Sequence, residues 1–559
     1  MSLFDTRSDQ LFPTLTAAQI ATARRFAVGP PRRFEPGAPI FSIGERNAPA
    51  FLVLAGGVVI TRRDGAGKED VITTHGPGHI TGEITQLAGR ATLVEARAGE
   101  AGCEAVSFDA AHLRALIIGS ADVGEIIMRA FILRRTALIA DGAGSVLVGA
   151  RTDPALIRIE GFLARNGYPY SVVDARDEAD GRALIERLGL VDEDLPLVLC
   201  PSGAVLKHPS EVDVGRCLGI TPDLDPEKLF DVAVVGAGPA GLATAVYAAS
   251  EGLSVVVLDA RAFGGQAGAS ARIENYLGFP TGISGHALAA RAFNQAQKFG
   301  AEVAIPVAVE ALNCGGIGWL PGDPFALKLA GERTVQARSV VIASGARYRR
   351  PDIANLAIFE GAGVSYWASP IEAKLCEGEE IALVGAGNSA GQAIAFLAPK
   401  VQRLHVIIRG RSLEASMSRY LIERIAALPN VVLHFQTEVT ALTGDAASGL
   451  VGLELRDRAA GTTTTMAIRH LFLFIGADPN TAWLADCHVA LDTHGFVRTG
   501  EAMASPWPAV GRAALPLETS VPGVFAIGDA RSGSTKRVAA AVGEGAQVVA
   551  ALHGILATS

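Results

Sequence analysis

The chain has 559 residues, more than one hydrophobic core supports, so three or four domains are expected. Its 49 basic and 57 acidic residues give a net charge of −8 without a basic run, which argues against a nucleic-acid partner. The first residues lack a basic segment followed by an apolar one, so no secretory signal is recognised and a cytoplasmic location is expected.

The first half of the chain predicts two small units. Residues 34–108 are short apolar runs separated by Gly and Pro, a pattern typical of a small β-barrel or β-roll. Residues 121–140 are apolar at helical spacing and predict a connecting helix. Residues 145–219 then alternate strand and helix patterns, with strands at 146–148, 170–173 and 197–199 and helices at 155–166 and 179–188. Residues 221–226 are a proline-containing linker.

Two glycine-rich segments form an internal repeat. Residues 232–241 (VAVVGAGPAG) match residues 381–390 (IALVGAGNSA) in register, and each is followed by an apolar helix pattern and a second strand pattern. Two tandem strand–turn–helix–strand units predict two Rossmann-type dinucleotide-binding domains. Residues 232–250 and 381–399 are uncharged and long enough to span a membrane, but the glycine turn inside each favours a strand, turn and helix.

The glycines of the first repeat have separable predicted roles. Gly236 allows the tight turn, Gly238 lets the backbone approach a pyrophosphate, and Gly241 permits close packing of helix on strand. The helix N-terminus offers free amides to the phosphates. Asp259 ends the second strand and can accept hydrogen bonds from the adenosine ribose.

The second repeat departs from the first at the matching place, because its second strand is followed by Arg409 and Arg411. A guanidinium pairs with a 2′-phosphate that a carboxylate would repel, so these residues favour NADPH over NADH. The alternative is that both arginines face water on a loop.

Further motifs accompany the repeats, namely FGGQ at residues 263–266, ENYLGFP at 274–280 and AIGD at 526–529. With them the chain resembles the low-molecular-weight thioredoxin reductases from residue 230 to about 556. The resemblance implies a homodimer, with FAD in a domain made of residues 229–350 and 477–559 and NADPH in residues 351–476. It implies FAD contacts at Gly236, Gly238, Pro239, Ala240, Gly241, Asp259, Gly265, Gln266, Asn275, Ala343, Ser344, Gly345, Gly528, Asp529, Arg537 and Val538, and NADPH contacts at Gly385, Gly387, Asn388, Ser389, Ala390, Arg409 and Arg411.

One segment departs from that family. Residues 363–367 resemble the lead-in to its redox-active Cys-x-x-Cys, but Trp367 and Pro370 stand at the two cysteine positions. Without a dithiol beside the flavin, electrons cannot leave by dithiol–disulfide exchange. No catalytic acid or base can be named, and Tyr366 and Trp367 either shape access to the flavin or simply pack.

The cysteines suggest neither a metal site nor a dithiol. No two are spaced as Cys-x-x-Cys, and none forms a zinc-type cluster with histidine. Reduced thiols acting as small apolar residues are therefore expected. The six are Cys103, Cys200, Cys217, Cys314, Cys376 and Cys487.

The N-terminal unit, residues 1–142, resembles a cyclic-nucleotide-binding domain through FEPG at 34–37 and FLVLAGG at 51–57. The resemblance implies that Glu83 holds the ribose 2′-hydroxyl and Arg90 pairs with the cyclic phosphate. Gln86 and other departures in this segment leave a ligand-free roll as the alternative, and no helix-turn-helix follows to indicate transcription control.

The middle unit, residues 143–225, resembles a glutaredoxin-like thioredoxin fold through residues 166–170 and the proline turn at 195–197. Its Cys-x-x-Cys would fall near residues 151–154 and is absent. Cys200 is either a redox-active thiol or a buried small residue.

These patterns predict a multidomain α/β and β protein that acts as an FAD-dependent, NADPH-oxidising reductase without an internal redox disulfide. Its acceptor would be external: another flavin, an iron–sulfur protein or a small oxidant. One alternative is a nucleotide-binding sensor with little turnover. Another is disulfide reduction through Cys200 or a partner's thiols.

Overall fold

The architecture comes from a computed structural model of the chain. It describes residues 7–63, 69–140, 144–151, 153–175, 182, 185, 186, 189, 191–314, 323–445, 448–500 and 512–557.

The N-terminal roll is an antiparallel sheet built on two long strands, β3 (Ala50–Arg63) and β5 (Glu95–Phe108). The first four residues of β3 are all buried, and in its second half buried Val58 and Ile60 alternate with the half-buried Val59 and Thr61. The sheet order is β1-β5-β3-β4, with β2 also pairing β5. The other elements are α1 (Ser8–Leu11), α2 (Ala17–Arg24), β1 (Arg32–Phe34), β2 (Pro39–Phe41), β4 (Glu69–His75), a one-turn 3-10 helix (Ile84–Ala88), α3 (Ala110–Gly119) and the connecting helix α4 (Ala121–Ala140).

The middle unit is a four-stranded mixed sheet in the order β7-β6-β8-β9. The central strand β6 runs parallel to β7 and antiparallel to β8. The helix predicted at 179–188 falls largely outside the described residues. The described elements are β6 (Ser145–Gly149), α5 (Pro154–Arg165), β7 (Tyr170–Asp174), β8 (Leu197–Leu199), β9 (Val205–Lys207) and α6 (Glu211–Cys217).

The first dinucleotide unit contains a seven-stranded sheet in the order β12-β11-β10-β15-β14-β13, with β26 added beside β15. The strands around β10 are parallel, and β13 to β15 form an antiparallel meander. Its elements are β10 (Leu229–Val235), α7 (Pro239–Ser250), β11 (Val255–Leu258), α8 (Gly265–Gly268), α9 (Gly285–Lys298), β12 (Glu302–Ala304), β13 (Val309–Asn313), β14 (Phe325–Leu329), β15 (Arg333–Ile342), β26 (Val524–Ala526) and α14 (Val538–Leu556).

The second dinucleotide unit has a five-stranded parallel sheet in the order β17-β24-β18-β19-β20, followed by an antiparallel ribbon, β21-β22-β23. A two-stranded ribbon of β16 and β25 joins it to the first unit. Its elements are β16 (Ala346–Tyr348), α10 (Leu356–Phe359), β17 (Val364–Ser365), α11 (Pro370–Leu375), β18 (Glu380–Val384), α12 (Asn388–Leu397), β19 (Arg403–Ile408), α13 (Arg419–Ala426), β20 (Val431–Phe435), β21 (Thr437–Asp445), β22 (Gly449–Asp457), β23 (Thr463–Met466), β24 (Leu471–Leu473) and β25 (Ala477–Pro479).

One apolar core runs through three of these units. Leu93 of the roll, Leu138 of α4, Leu147 and Leu163 of the middle unit, and Phe293 of α9 belong to a single cluster of buried side chains. The second dinucleotide unit has separate clusters around β18 and β24. The two N-terminal units are therefore packed onto the first dinucleotide unit.

The two uncharged stretches of membrane-span length are a strand, turn and helix, as the glycines predict. Among the described helices, α14 alone is long and apolar enough to cross a membrane by length and composition. Its Gly545 lies against the backbone of α7, where an added Cβ would sit 2.5 Å from the Ala240 carbonyl oxygen. Val548 and Leu552 of α14 are fully buried, so one face of this helix packs against the rest of the unit.

The cysteine prediction is corrected in part. Cys200 forms a disulfide with Cys217 in the middle unit, and Cys314 forms one with Cys487 in the first dinucleotide unit. The partners are 17 and 173 residues apart, so no local spacing motif marks either pair. Cys103 and Cys376 are free and buried, as expected of small apolar residues.

The shared core generates a stability prediction. Replacing fully buried Leu163 with Ala removes apolar contacts and leaves a cavity, which should lower the free energy of unfolding by about 2–5 kcal/mol. Chemical unfolding followed by tryptophan fluorescence and circular dichroism measures the change. The control is Ile118→Ala, at a residue that is 54% exposed, with an expected change within about 0.5 kcal/mol. Equal effects of the two substitutions would contradict the shared core.

Candidate active site

The first glycine loop joins β10 to α7 and has the geometry of a dinucleotide cradle. A Cβ at Gly236 would lie 2.2 Å from the Ala343 carbonyl oxygen, and one at Gly241 would lie 1.9 Å from that of Gly236. At Gly238 an added Cβ would meet only the Gly265 Cα, at 3.9 Å. The loop is therefore tightly packed at Gly236 and Gly241 and open at Gly238, where the backbone must approach a pyrophosphate.

The fold brings the other predicted FAD residues to this loop. Gly265 lies on Gly238, since its added Cβ would be 3.1 Å from the Gly238 Cα. Gly528 lies on the start of α7, where its Cβ would be 3.0 Å from the Ala240 Cβ. Asp529 follows Gly528, and burial raises the pKa of its carboxyl group, with Lys536 partly opposing.

Side chains fix the rim of the cradle. The Gln266 amide donates to the Ala346 carbonyl, and the Ser344 hydroxyl donates to the Asn480 carbonyl at 2.7 Å. Arg537 is the residue before α14, whose first residue is Val538. Asn275 is exposed, and the next residue, Tyr276, lines a groove with Pro239, Gly264 and Val538.

Asp259 stands where the motif predicts it, immediately after β11. Its carboxylate accepts hydrogen bonds from the amides of Ala237 at 2.8 Å, Arg261 at 2.8 Å and Ala262 at 3.1 Å. It therefore holds the glycine loop to the next loop, in addition to any ribose contact.

The second glycine loop repeats this geometry between β18 and α12. A Cβ at Gly385 would lie 2.7 Å from the Phe474 carbonyl oxygen, whereas Gly387 has nothing within 4 Å of its added Cβ. The Asn388 side chain accepts a hydrogen bond from the Ser418 amide at 2.7 Å, and Ser389 and Ala390 continue the first turn of α12. The open face of this loop lies at Gly387, which matches Gly238 of the first loop.

Arg409 and Arg411 follow β19 and are exposed. The neighbouring carboxylate, Glu438, forms its ion pairs with Arg456 and Arg458. Neither loop arginine has a carboxylate within ion-pairing distance among the described residues. Both guanidinium groups are therefore available to an anion at the end of β19.

The segment from Trp367 to Pro370, where the resemblance expects the redox cysteines, is a helix cap. Ser369 accepts a hydrogen bond from the Ile371 amide at 3.2 Å, while Glu372 accepts one from the Ser369 amide at 2.9 Å. Pro370 is the first residue of α11, where a missing amide proton costs nothing. The Trp367 indole donates to Glu372 at 2.9 Å. Trp367, Ser369 and Pro370 thus each have a local structural role at the start of α11.

Three aromatic rings gather beside the ribbon that joins the two dinucleotide units. Tyr348 lies 6.2 Å from Tyr366 and 6.4 Å from Trp367, measured between ring centroids. The Tyr366 hydroxyl donates to Glu360 at 2.6 Å. Burial raises the pKa of Tyr348. The rings are therefore neutral and partly screened from water.

Of the two predicted cyclic-nucleotide residues, Arg90 faces another domain. The Arg90 guanidinium donates to the Val303 carbonyl of the first dinucleotide unit at 2.8 Å and lies 5.2 Å from the centroid of the Phe293 ring. Burial lowers the pKa of Arg90 to about 10. Glu83 is buried and lies 3.8 Å from Arg135 of α4. Arg90 therefore takes part in a contact between domains, whereas Glu83 lies beside an arginine of its own unit.

Two groups escaped prediction from the sequence. Arg165 and Asn166, at the end of α5 in the middle unit, contact the loop that follows β11. Ser416 donates to the Ala386 carbonyl at 2.8 Å and thereby ties the loop after β19 to the second glycine loop. A serine or an arginine outside any motif cannot be recognised from the sequence as a site residue. Only the fold brings these residues to the glycine loops.

Comparison with known proteins identifies two families along the chain. The model described as "Pyridine nucleotide-disulphide oxidoreductase" matches residues 230–545, and "Cyclic nucleotide-binding domain" matches residues 31–119. NADPH-dependent thioredoxin reductase 3 of Arabidopsis thaliana is 31% identical over 57% of this chain and 57% of its own length. The F subunit of alkyl hydroperoxide reductase of Escherichia coli is 30% identical, over 60% of each. The chain thus spans about three fifths of the length of these relatives.

Solved structures agree with this assignment. A thioredoxin reductase of T. acidophilum aligns with a TM-score of 0.52 and 28% identity, covering 59% of this chain and 99% of that one. Thioredoxin reductases use FAD and NADPH, and the open faces at Gly238 and Gly387 fit these two dinucleotides. Because the first family model matches more than half of the chain, this protein belongs to the pyridine nucleotide-disulphide oxidoreductase family.

Proposed function

We propose that the protein is an FAD-dependent reductase that oxidises NADPH and passes electrons to an external acceptor without an internal redox disulfide. The observation that carries the proposal is the segment from Trp367 to Pro370, which caps α11 and contains no thiol. The nearest cysteine downstream is Cys376, whose pKa burial raises to about 11. A thiol with this pKa is almost wholly protonated at neutral pH and is a poor nucleophile.

The chemistry supplied by the bound cofactors is hydride transfer from nicotinamide to flavin. The chain's own residues would bind and orient these cofactors and shield them from water. The two glycine loops fix the dinucleotides, Arg409 and Arg411 face the end of β19 where a 2′-phosphate would lie, and the aromatic rings restrict water beside the joining ribbon. Access of an acceptor then depends on Tyr366 and Trp367.

A thiol route is the second candidate, because Cys200 and Cys217 form a disulfide in the middle unit. Cys200 is fully buried among Leu147, Val198 and Val214, and Cys217 is half-buried. Such surroundings are typical of a structural bridge, whereas exchange requires an accessible sulfur. We therefore prefer direct transfer to an acceptor. The homodimer and the thioredoxin-like fold of the middle unit stay predictions from resemblance.

We propose that the N-terminal roll docks onto the first dinucleotide unit and does not bind a nucleotide. Arg90, which a cyclic phosphate would need, already contacts Val303 and Phe293 of the neighbouring unit. Nucleotide binding by this arginine would remove that hydrogen bond and cation–π contact. The match to a cyclic-nucleotide-binding domain makes nucleotide binding the alternative.

Cofactor choice is testable at the loop after β19. Arg409→Glu should raise the Kd of NADPH roughly 10- to 100-fold and change that of NADH little, because a charge-assisted hydrogen bond is worth about 1.5–3 kcal/mol. Stopped-flow reduction of the flavin at varied NADPH and NADH gives both constants. Arg403→Glu, at the opposite end of the same strand, is the control and should leave the ratio unchanged. Parallel weakening of both cofactors would argue against a 2′-phosphate role.

The docking role of the roll is testable by calorimetry. The full chain titrated with cAMP or cGMP should release no heat of binding. Arg90→Ala should lower the free energy of unfolding by about 1–3 kcal/mol, because the Val303 carbonyl loses its partner. Exposed Arg32→Ala is the control, with little change expected. Heat with either nucleotide that Arg90→Ala abolishes would instead establish a nucleotide site.

The electron capacity of the protein tests the central proposal. Anaerobic titration with dithionite should end at two electrons per flavin, because the segment beside the aromatic cluster stores none. Cys376→Ser should leave this end point unchanged. Turnover of thioredoxin should be negligible, while a quinone dye that reaches the flavin should still be reduced.

A four-electron end point would contradict the proposal and point to a reducible disulfide. The double substitution Cys200→Ser and Cys217→Ser then identifies the source, because it restores two electrons if that pair is the store. Cys314→Ser with Cys487→Ser is the matched control at the other disulfide.

A further inference from the structure

A corner of the middle unit lies against the loop that follows β11. The Arg165 guanidinium donates to the Gly265 carbonyl at 3.2 Å, and the Asn166 amide donates to the Arg261 carbonyl at 3.0 Å. A Cβ added to the next residue, Gly167, would lie 4.0 Å from the Phe263 ring and 4.0 Å from the His286 side chain. Residues 165–167 thus lie against the segment from Arg261 to Gly265 of the first dinucleotide unit.

That loop belongs to the dinucleotide cradle. Gly265 has positive φ and lies on Gly238, the glycine whose front face is open. The Arg165 guanidinium is therefore bound to Gly265, which lies next to Gly238 in space. Gly238 is the residue where the phosphates of a dinucleotide would approach the backbone.

The charges around Arg165 leave it without an anionic partner. Asp259 and Glu211 are the acidic groups near it, yet neither lies within ion-pairing distance, and the Asp259 oxygens accept from backbone amides. No other carboxylate in the described part of the chain lies within 4 Å of this guanidinium. Arg165 is half-buried, and burial lowers its pKa. A desolvated cation is stabilised by an anion of matching geometry, and a diphosphate accepts two parallel hydrogen bonds from guanidinium.

We propose that Arg165 binds the diphosphate of FAD, so that the appended middle unit completes the cofactor site of the first dinucleotide unit. The guanidinium neutralises part of the phosphate charge, and its hydrogen bond to Gly265 orients it toward the cradle. The ligand class is an anionic dinucleotide, and a flavin without phosphate gains nothing from this contact. The alternative is that Arg165 only joins two domains through the Gly265 carbonyl.

The test separates charge from hydrogen bonding at one position. Arg165→Gln keeps an N–H donor for the Gly265 carbonyl and removes the charge, whereas Arg165→Lys keeps the charge. Arg158→Gln, exposed on the same helix, is the matched control. The full chain, freed of flavin, is titrated with FAD, with ADP as a probe of the diphosphate, and with riboflavin, by calorimetry and fluorescence quenching.

Arg165→Gln should weaken FAD and ADP about tenfold or more, while Arg165→Lys stays within about threefold of the native chain. Riboflavin affinity should not change. The proposal is overturned if Arg165→Gln binds FAD as tightly as Arg158→Gln, or if riboflavin weakens by the same factor as FAD. Melting of the flavin-free variants detects loss of folding, and a folded Arg165→Lys that binds ADP tenfold more weakly would also overturn it. These measurements involve no electron acceptor, so they are independent of the proposed function.

Discussion

The fit of the middle unit onto the first dinucleotide unit is the contact on which the rest of the molecule depends. Leu163 and Phe162 of α5 are buried in the same cluster as Phe263 and Phe293. Because these units share buried side chains, they cannot move independently without exposing apolar surface. The position of every polar contact at the corner of α5 follows from this packing.

The cofactor cradle and the proposed change at the redox position lie in different parts of the site. The glycine loops keep the close approaches that dinucleotide binding requires, including the contact of Gly236 with Ala343. The segment from Trp367 to Pro370, by contrast, starts a helix in which Ser369, Pro370 and Glu372 satisfy the first turn of α11. The cofactor cradle and this segment belong to different loops, so the proposed loss of the redox disulfide leaves the cradle unchanged.

Local patterns predict the two strand–turn–helix units because each part of the pattern reflects contacts between residues that are close in sequence. A glycine at residue 236 is required by a carbonyl 2.2 Å from its added Cβ, and that requirement is visible as a motif. Arg90 shows what a local motif leaves out: the motif predicts a phosphate contact, and the fold adds a hydrogen bond to Val303, 213 residues away. Arg165 and the Cys314–Cys487 bridge have the same character, since long-range packing selects their partners and leaves no spacing to recognise.

The order of the chain sets an order of assembly. The roll and the middle unit leave the ribosome first, yet the surfaces they cover lie on α9 and β12, more than 60 residues further along. The sheet of that unit is finished later still, because β26 enters beside β15 and α14 closes over α7 only after residues 524–556 emerge. Until residues 285–304 have emerged, the N-terminal units thus carry an uncovered apolar face, which makes the nascent chain a natural client for a chaperone.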